Sequence, residues 1–413
     1  MVTVRPFKAL RPPKEIVTKI AELPYDVINT KEAKAIAEGN QYSFFHITRA
    51  EIDLPASVDI HDEKVYQQGK NALNEFIKNG WLVPEKEPTI YLYKQKMGDH
   101  EQTGFVGCVS ADEYNNDIIK KHELTRKDKE DDRTKTVITQ NANAEPVFLT
   151  YRAKKELDEI MASYKKNNAP EYDFTAADGI SHTLWVIRDA ALVKKIEELF
   201  RPVNYLYVAD GHHRSASAAR AKAEKIKNDK NPSPDKEYNY FLAEIFPHDQ
   251  LKILDYNRVL FDLNGMTKEQ LFKKLEEKFD FIGEGSGSPE NQTEFGMYID
   301  GKWYQIRAKK GSFNEKDPIE SLDVAILQNN VLDPLFGIKD PRTDKRIDFV
   351  GGIRGIKELE KRVNSGECKV AFAMYPTTLD QLMAVADSGK IMPPKSTWFE
   401  PKLRSGLFVH MLD

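Results

Sequence analysis

Cysteine is nearly absent from this chain. Among 413 residues only Cys108 and Cys368 occur. They form neither a metal-type spacing nor a disulfide framework, so a reducing compartment is the default. A basic surplus is missing too. The net charge is −4 and the sequence pI is about 6.2. That argues against a general nucleic-acid binder, which must neutralise phosphates, and leaves room only for a local basic groove. No apolar run approaches the roughly 18–20 residues that span a bilayer. The segment "MVTVRPFKALRPPKEI" has prolines and charges where a signal peptide needs an apolar core. A cytoplasmic protein without membrane partners is expected. Also lacking is any G-x-x-x-x-G-K-[ST] sequence, and "GEGSGS" does not link a strand to a helix as a dinucleotide fingerprint must. If the protein handles ATP, it does so without a P-loop.

What is present is ordinary globular composition, 40% hydrophobic and 31% charged, in a chain long enough for two domains. Strand-like and helix-like runs alternate, so the expected class is mixed α+β. The expected division is a first domain over 1–250 and a second α+β domain over 251–413. "NTKEAKAIAEGN" and "HDEKVYQQGKNALNEFIKNGWL" read as helices stopped by glycine. "YSFFHITRAE" reads as a strand, being dense in aromatic and β-branched residues. "PTIYLYKQKM" and "QTGFVGCVSADEY" read as paired strands. "FGMYIDGKWYQIRAK" reads as a hairpin turning at Asp300 and Gly301. "PIESLDVAILQNNVLDPLF" reads as a helix with Pro318 near its start.

The densest chemistry lies in "YVADGHHRSASAAR", Tyr207 to Arg220. An apolar β-rich run, "NYLYVA", leads into a strong helix former, "RSASAARAKAEKIK". Gly211 permits a sharp turn between them. The first turn of a helix bares N–H groups and carries partial positive charge, which is a phosphate-binding geometry. Arg214 adds a forked cation, and His212 and His213 add titratable donors. Asp210 would then hold Mg²⁺, orient a histidine or accept a substrate proton. The plain alternative is a helix-capping aspartate beside histidines without chemistry.

"ADGHHR" followed by small residues resembles the signature of the ParB/sulfiredoxin-like superfamily, in which such a segment opens a helix and holds nucleotide phosphates. The free serine kinases of that group carry the most similar version, Asp-Gly-His-His-Arg. The wider chain resembles the DUF1015 family through "RPFKALRP", "PYDVI", "KHELTR", "YVADGHHR", "QNNVLDPLFGI" and "MPPKSTWFEPKLRSGLF". These resemblances imply a ParB/sulfiredoxin-like nucleotide-binding core. Sulfiredoxin needs a cysteine where His212 stands, so sulfinic-acid reduction is not implied. ParB proteins add a DNA-reading helix-turn-helix that this chain lacks. The free serine kinase comparison survives, although this chain is much longer.

Other segments supply candidates for the same site. In "KKHELTRKDKEDDR", a helical reading puts His122 and Arg126 on one face. Glu123 could take the proton of an attacking hydroxyl, and Arg126 and Arg133 could steady transferred charge. A solvated run of ion pairs is the bland reading of such a block. Asp26 in "LPYDVI" could meet a substrate ammonium or a metal, or serve only as a turn residue. His46 in "FHITRAE" could reach the same crevice or merely bond a loop. Lys395, Ser396 and Thr397, with Lys402 and Arg404 further along "MPPKSTWFEPKLRSG", could bind an anion.

Together these point to an enzyme that moves a phosphoryl group between ATP or ADP and a small hydroxylated metabolite, L-serine foremost. Gly211, His212, His213, Arg214 and Arg126 would hold phosphates. Asp210, through Mg²⁺, would set the geometry, and Glu123 would be the base beside His213. Two rivals stand: a nucleotide-gated binding or regulatory protein, and a phosphatase for a metabolite such as phosphoserine. Homo-oligomerisation is left open.

Overall fold

β-Branched and aromatic runs supply the strands of the first unit, in a computed structural model that describes residues 1–413. Val4–Arg5 (β1), Ile90–Met97 (β2), His100–Ser110 (β3), Ile119–Lys120 (β4), Val147–Tyr151 (β5), Tyr172–Thr175 (β6), Ser181–Ile187 (β7), Leu206–Asp210 (β8) and Tyr240–Pro247 (β9) form one nine-stranded sheet. Its order is β4-β8-β5-β9-β3-β2-β7-β6, with β1 paired to β3. β8 runs parallel to β4, and β9 parallel to β5. The remaining neighbours are antiparallel, including the expected β2–β3 hairpin.

The helices of this unit include Thr30–Ala37 (α1), Phe45–Thr48 (α2), Glu63–Lys78 (α3), Lys127–Gln140 (α4), Lys155–Asn167 (α5), Ala190–Phe200 (α6) and His212–Asn228 (α7). Asn29 and Glu32 close a capping box on α1, which satisfies two orphan N–H groups. α3 buries Val65, Tyr66, Ala72, Leu73 and Phe76, a stripe at helical spacing. α7 turns Ala216, Ala218 and Ala219 into the same core as Leu149, Val208 and Ile245. Those short side chains let the helix backbone lie close to the sheet.

Two expected elements form differently. Residues 42–51 are not a strand but α2 followed by a 3-10 turn, Ala50–Asp53. The segment has no sheet neighbour, and its apolar side chains divide between cores. Phe44 and Ile47 pack with Leu73 and Phe76, whereas Phe45 packs with Ala33 and Ala37. In the charged block, helix begins only at Lys127, because β4 holds Ile119–Lys120 extended and Arg126 has a β-region backbone. His122 and Arg126 therefore do not share a helix face.

The second unit, Lys252–Glu400, contains Tyr256–Leu260 (β10), Lys268–Leu275 (α8), Phe279–Gly283 (β11), Glu294–Ile299 (β12), Lys302–Ala308 (β13), Asp323–Leu327 (α9), Ile347–Gly351 (β14), Ile356–Asn364 (α10), Val370–Met374 (β15) and Leu379–Asp387 (α11). Its antiparallel sheet has the order β11-β13-β12-β15-β10-β14. The β12–β13 hairpin turns at Asp300 (φ 49°) and Gly301 (φ 78°), the pair of positive angles that a two-residue primed turn needs. The long helix expected from Pro318 is reduced to α9, which widens into a π-helical segment, Gln328–Leu332.

The first unit comprises Met1–Leu251 and Pro401–Asp413. The expected second domain, 251–413, therefore loses its last stretch to the first unit. Backbone pairing is the cause: Val409 bridges Leu10, Ser405 bridges Glu22, and His410 and Met411 pair with Asn143 and Ala142. No helix is long and apolar enough to cross a membrane.

Candidate functional site

β8 delivers Asp210 to its end, and the chain then turns sharply into α7. Gly211 makes that turn at φ +92°, and a Cβ placed there would lie 3.1 Å from the Arg214 guanidinium carbon. The positive φ calls for glycine, and any larger residue would also have to displace Arg214. Gly211 is the N-cap of α7, and no side chain caps the helix. Its positive N-terminal end is thus left to a ligand or solvent.

Asp210 is the hub of the charge network. Its Oδ2 accepts from Lys402 Nζ at 3.0 Å, and its Oδ1 accepts the Gly211 N–H at 2.7 Å. Arg214 Nη2 lies 3.6 Å from Asp210 Oδ1 and 3.6 Å from Asp26 Oδ2. Burial alone would raise the Asp210 carboxyl, but the Lys402 and Arg214 cations override it and hold the group well below the usual carboxylate range. Burial opposes the Arg214 charge in turn, and the carboxylates of Asp26, Asp210 and Glu145 outweigh it. Glu145 accepts the Tyr25 N–H at 3.0 Å and the Ser405 hydroxyl at 3.0 Å.

The loop Lys121–Arg126 is fixed to the same motif at two points. The His122 and His212 rings meet edge to face, with centroids 4.4 Å apart. The Arg126 N–H donates to His213 Nε2 at 3.1 Å. Glu123 stands between those two anchors and is exposed. Burial pushes His122 down to about 4 against the pull of Asp210, and it pushes His212 well below the ordinary histidine value. His213, half-buried, is also lowered by burial, with Asp26 opposing.

The sequence candidates are therefore redistributed. Asp210, Gly211, His213 and Asp26 lie close together around Arg214. Arg126 reaches His213 only through its backbone N–H, its guanidinium being held by Asp128, and Glu123 is on the adjoining loop. His212 does not face outward for phosphate: its side chain packs inside against His122, where a charged imidazole is disfavoured. Nor is Arg214 an open phosphate fork. It is buried, held by Asp26 and Asp210, and donates to the Pro146 carbonyl. His213 is not a ready cation, because its Nε2 is already an acceptor. His46 bonds locally, with Nδ1 2.9 Å from Asp53 and Nε2 3.2 Å from the Asn40 carbonyl oxygen. Lys395, Ser396 and Thr397 belong to the second unit. There the Lys395 carbonyl accepts from Arg258, and the Ser396 carbonyl accepts from Thr377.

Sequence reading passed over Glu145, whose only signal was an acid just before a strand, and it treated Lys402 only as part of a basic segment. Next to Arg214 and Glu145 lies a cavity also lined by Arg133, Thr48, Ser217 and Phe241. A second hollow shares Arg133 and Thr48 and adds Tyr25, Arg49, His61 and Lys129.

Asp210 does not fit as a magnesium ligand in this arrangement. Two cations and an N–H already engage its oxygens, and no group of three or more His, Cys, Asp or Glu side chains converges as a metal site.

A family model described as "Protein of unknown function (DUF1015)" matches residues 4–325. The chain belongs to the DUF1015 family. No curated protein matches this DUF1015 member. Among solved structures it is similar to free serine kinase in complex with AMP, at 12% identity over 71% of this chain and 86% of that one, with a TM-score of 0.36. It is also similar to C-terminally truncated SbnI from Staphylococcus aureus, at 14% identity over 74% and 87%, with a TM-score of 0.38. A conserved hypothetical protein from Pyrococcus furiosus matches at 13% identity over 74% and 95%, with a TM-score of 0.34.

Proposed function

We propose that this DUF1015 protein is a nucleotide-dependent phosphotransferase acting on a small hydroxylated metabolite, with L-serine the leading acceptor and ATP or ADP the donor. The observation that carries the reading is the uncapped start of α7, turned by Gly211 and flanked by the Asp210–Lys402 pair and His213. Backbone N–H groups there would receive the donor's terminal phosphates. Lys402, and Arg126 at the exposed rim, would neutralise charge as it develops. Arg214 acts as a positioning residue that aims Asp210 and Asp26.

Asp210 is too strongly stabilised as a carboxylate to accept a proton usefully. Glu123 is the better base. The acceptor hydroxyl oxygen would attack the terminal phosphorus, the bond to the bridging oxygen would break, and the hydroxyl proton would pass to Glu123. The remainder of catalysis is positioning and charge stabilisation. Any divalent cation would enter on the nucleotide phosphates, not on a protein cage.

The test incubates the full chain with ATP or ADP plus serine and a hydroxylated-metabolite panel, read by mass spectrometry. A phosphorylated acceptor that vanishes in Glu123→Gln is expected. Nucleotide-dependent thermal shifts without product would replace this reading with a regulatory binder. Phosphate release from phosphoserine without nucleotide would replace it with a phosphatase.

A further inference from the structure

The second unit holds a buried cation that the phosphotransfer reading does not use. Arg258 lies on β10 between β14 and β15 and is only 3% exposed. Its hydrogen bonds run to the carbonyl oxygens of Tyr256 and Lys395, not to a carboxylate. Its guanidinium sits 5.4 Å from the centroid of the Phe349 ring. Burial draws its pKa down to about 10, with Tyr256 opposing. A buried cation without an anionic partner is costly, and other buried arginines of this chain, Arg214 and Arg404, meet carboxylates.

Arg258 lines a cavity of about 240 Å³. Water occupies about 30 Å³ per molecule, so the space suits a small organic molecule. Val324, Leu332, Pro393 and Pro394 supply apolar walls, and Gln328 supplies an amide. The π-helical turn after α9 carries Gln328 and Leu332 on that wall, and such widened turns recur at functional sites. At the rim stands exposed Lys339. Beside it Asp340 is neutralised by a two-pronged bond from Arg342, at 2.9 Å on each side. One buried cation, a rim cation and apolar walls line this receptacle.

We propose that this cavity binds a small organic anion, whose carboxylate or phosphate group sits on Arg258 while its apolar part lies against Leu332, Pro393 and Pro394. Lys339 adds attraction at the entrance. The site is built wholly from the second unit and stands whether or not the first unit transfers phosphate.

The experiment is calorimetric titration of the full chain carrying His213→Ala, so that loss of the first unit's chemistry does not affect the reading. The probes are inorganic phosphate and succinate, which separate the two headgroup sources. Saturable binding of at least one, at a Kd of about 1 mM or tighter, is expected. Adding Arg258→Met should weaken it about tenfold or more, and adding Lys339→Ala about fivefold. Failure of both probes to bind overturns the proposal, as does binding within about twofold of the parent in the folded Arg258→Met chain. Should that variant not fold, Lys339→Ala, on the exposed rim, decides by the same criterion.

Discussion

Lys402 Nζ donates to Asp210 Oδ2 at 3.0 Å across a separation of 192 residues in the chain. The contact ties the returning C-terminal segment to the strand–helix joint. It also sets the charge state of the motif, because Lys402 and Arg214 keep Asp210 ionised despite burial. Lys402→Met should therefore act on function more than on folding. Asp210 would keep Arg214 and the Gly211 N–H, so a stability loss of about 1–3 kcal/mol is expected. The kcat/KM of the proposed phosphotransfer should fall about 100-fold, the scale of one lost charge-stabilising contact. Parallel thermal melts and steady-state kinetics separate the two effects.

Acid should attack the motif through its buried imidazoles. The folded-state pKa of His122 is depressed to about 4, against about 6.5 when unfolded. A depressed value means that stability is full above about 6.5 and is lost as pH falls through the folded value near 4. Over that window His122 accounts for about 3 kcal/mol. His122→Phe keeps an aromatic edge against His212 and should flatten the acid limb of a urea-midpoint titration between pH 7 and 4. An unchanged limb would remove His122 from this role.

Glu244 behaves in the opposite sense. It is fully buried on β9, and neither carboxyl oxygen has a hydrogen-bond partner. Burial raises its pKa well above the ordinary value, with the Arg214 charge opposing. A raised folded value means that its contribution is full below the unfolded pKa and is lost as pH climbs through the folded one. Glu244→Gln should match the parent near pH 4 and exceed it at pH 8, by about 1 kcal/mol or more. Chemical denaturation at the two pH values checks this.

Gly69 tests packing against propensity. In an open helix Gly→Ala gains about 1 kcal/mol. Here a Cβ would lie 2.9 Å from the Ile47 carbonyl oxygen and 2.7 Å from Gln140 Nε2, which itself donates to that carbonyl. A backbone atom cannot step aside cheaply, and overpacking of this kind costs about 1–3 kcal/mol. Gly69→Ala should lower the melting temperature by several degrees; a higher value would show that α3 can shift.

Much of the local structure was legible because it depends on neighbours in sequence. The α3 stripe, the Asp300–Gly301 turn and the β8–Gly211–α7 joint all follow from residue type at short spacing. The expected strand at 42–51 failed because Phe44, Phe45 and Ile47 satisfy separate cores, and burial partners outweigh strand propensity. The charged block failed as a continuous helix because β4 claims Ile119–Lys120 first.

By itself the sequence determined the mixed α+β class, family membership, and a helix start that requires glycine and carries Asp210 and His213. These rest on local conformational preference and on motifs written contiguously. Only the tertiary structure decided that His212 and Arg214 turn inward and that Lys402 meets Asp210. The physical reason is that charge pairing and burial act through space. Which cation neutralises a carboxylate depends on the return path of the chain, and no spacing rule encodes that path.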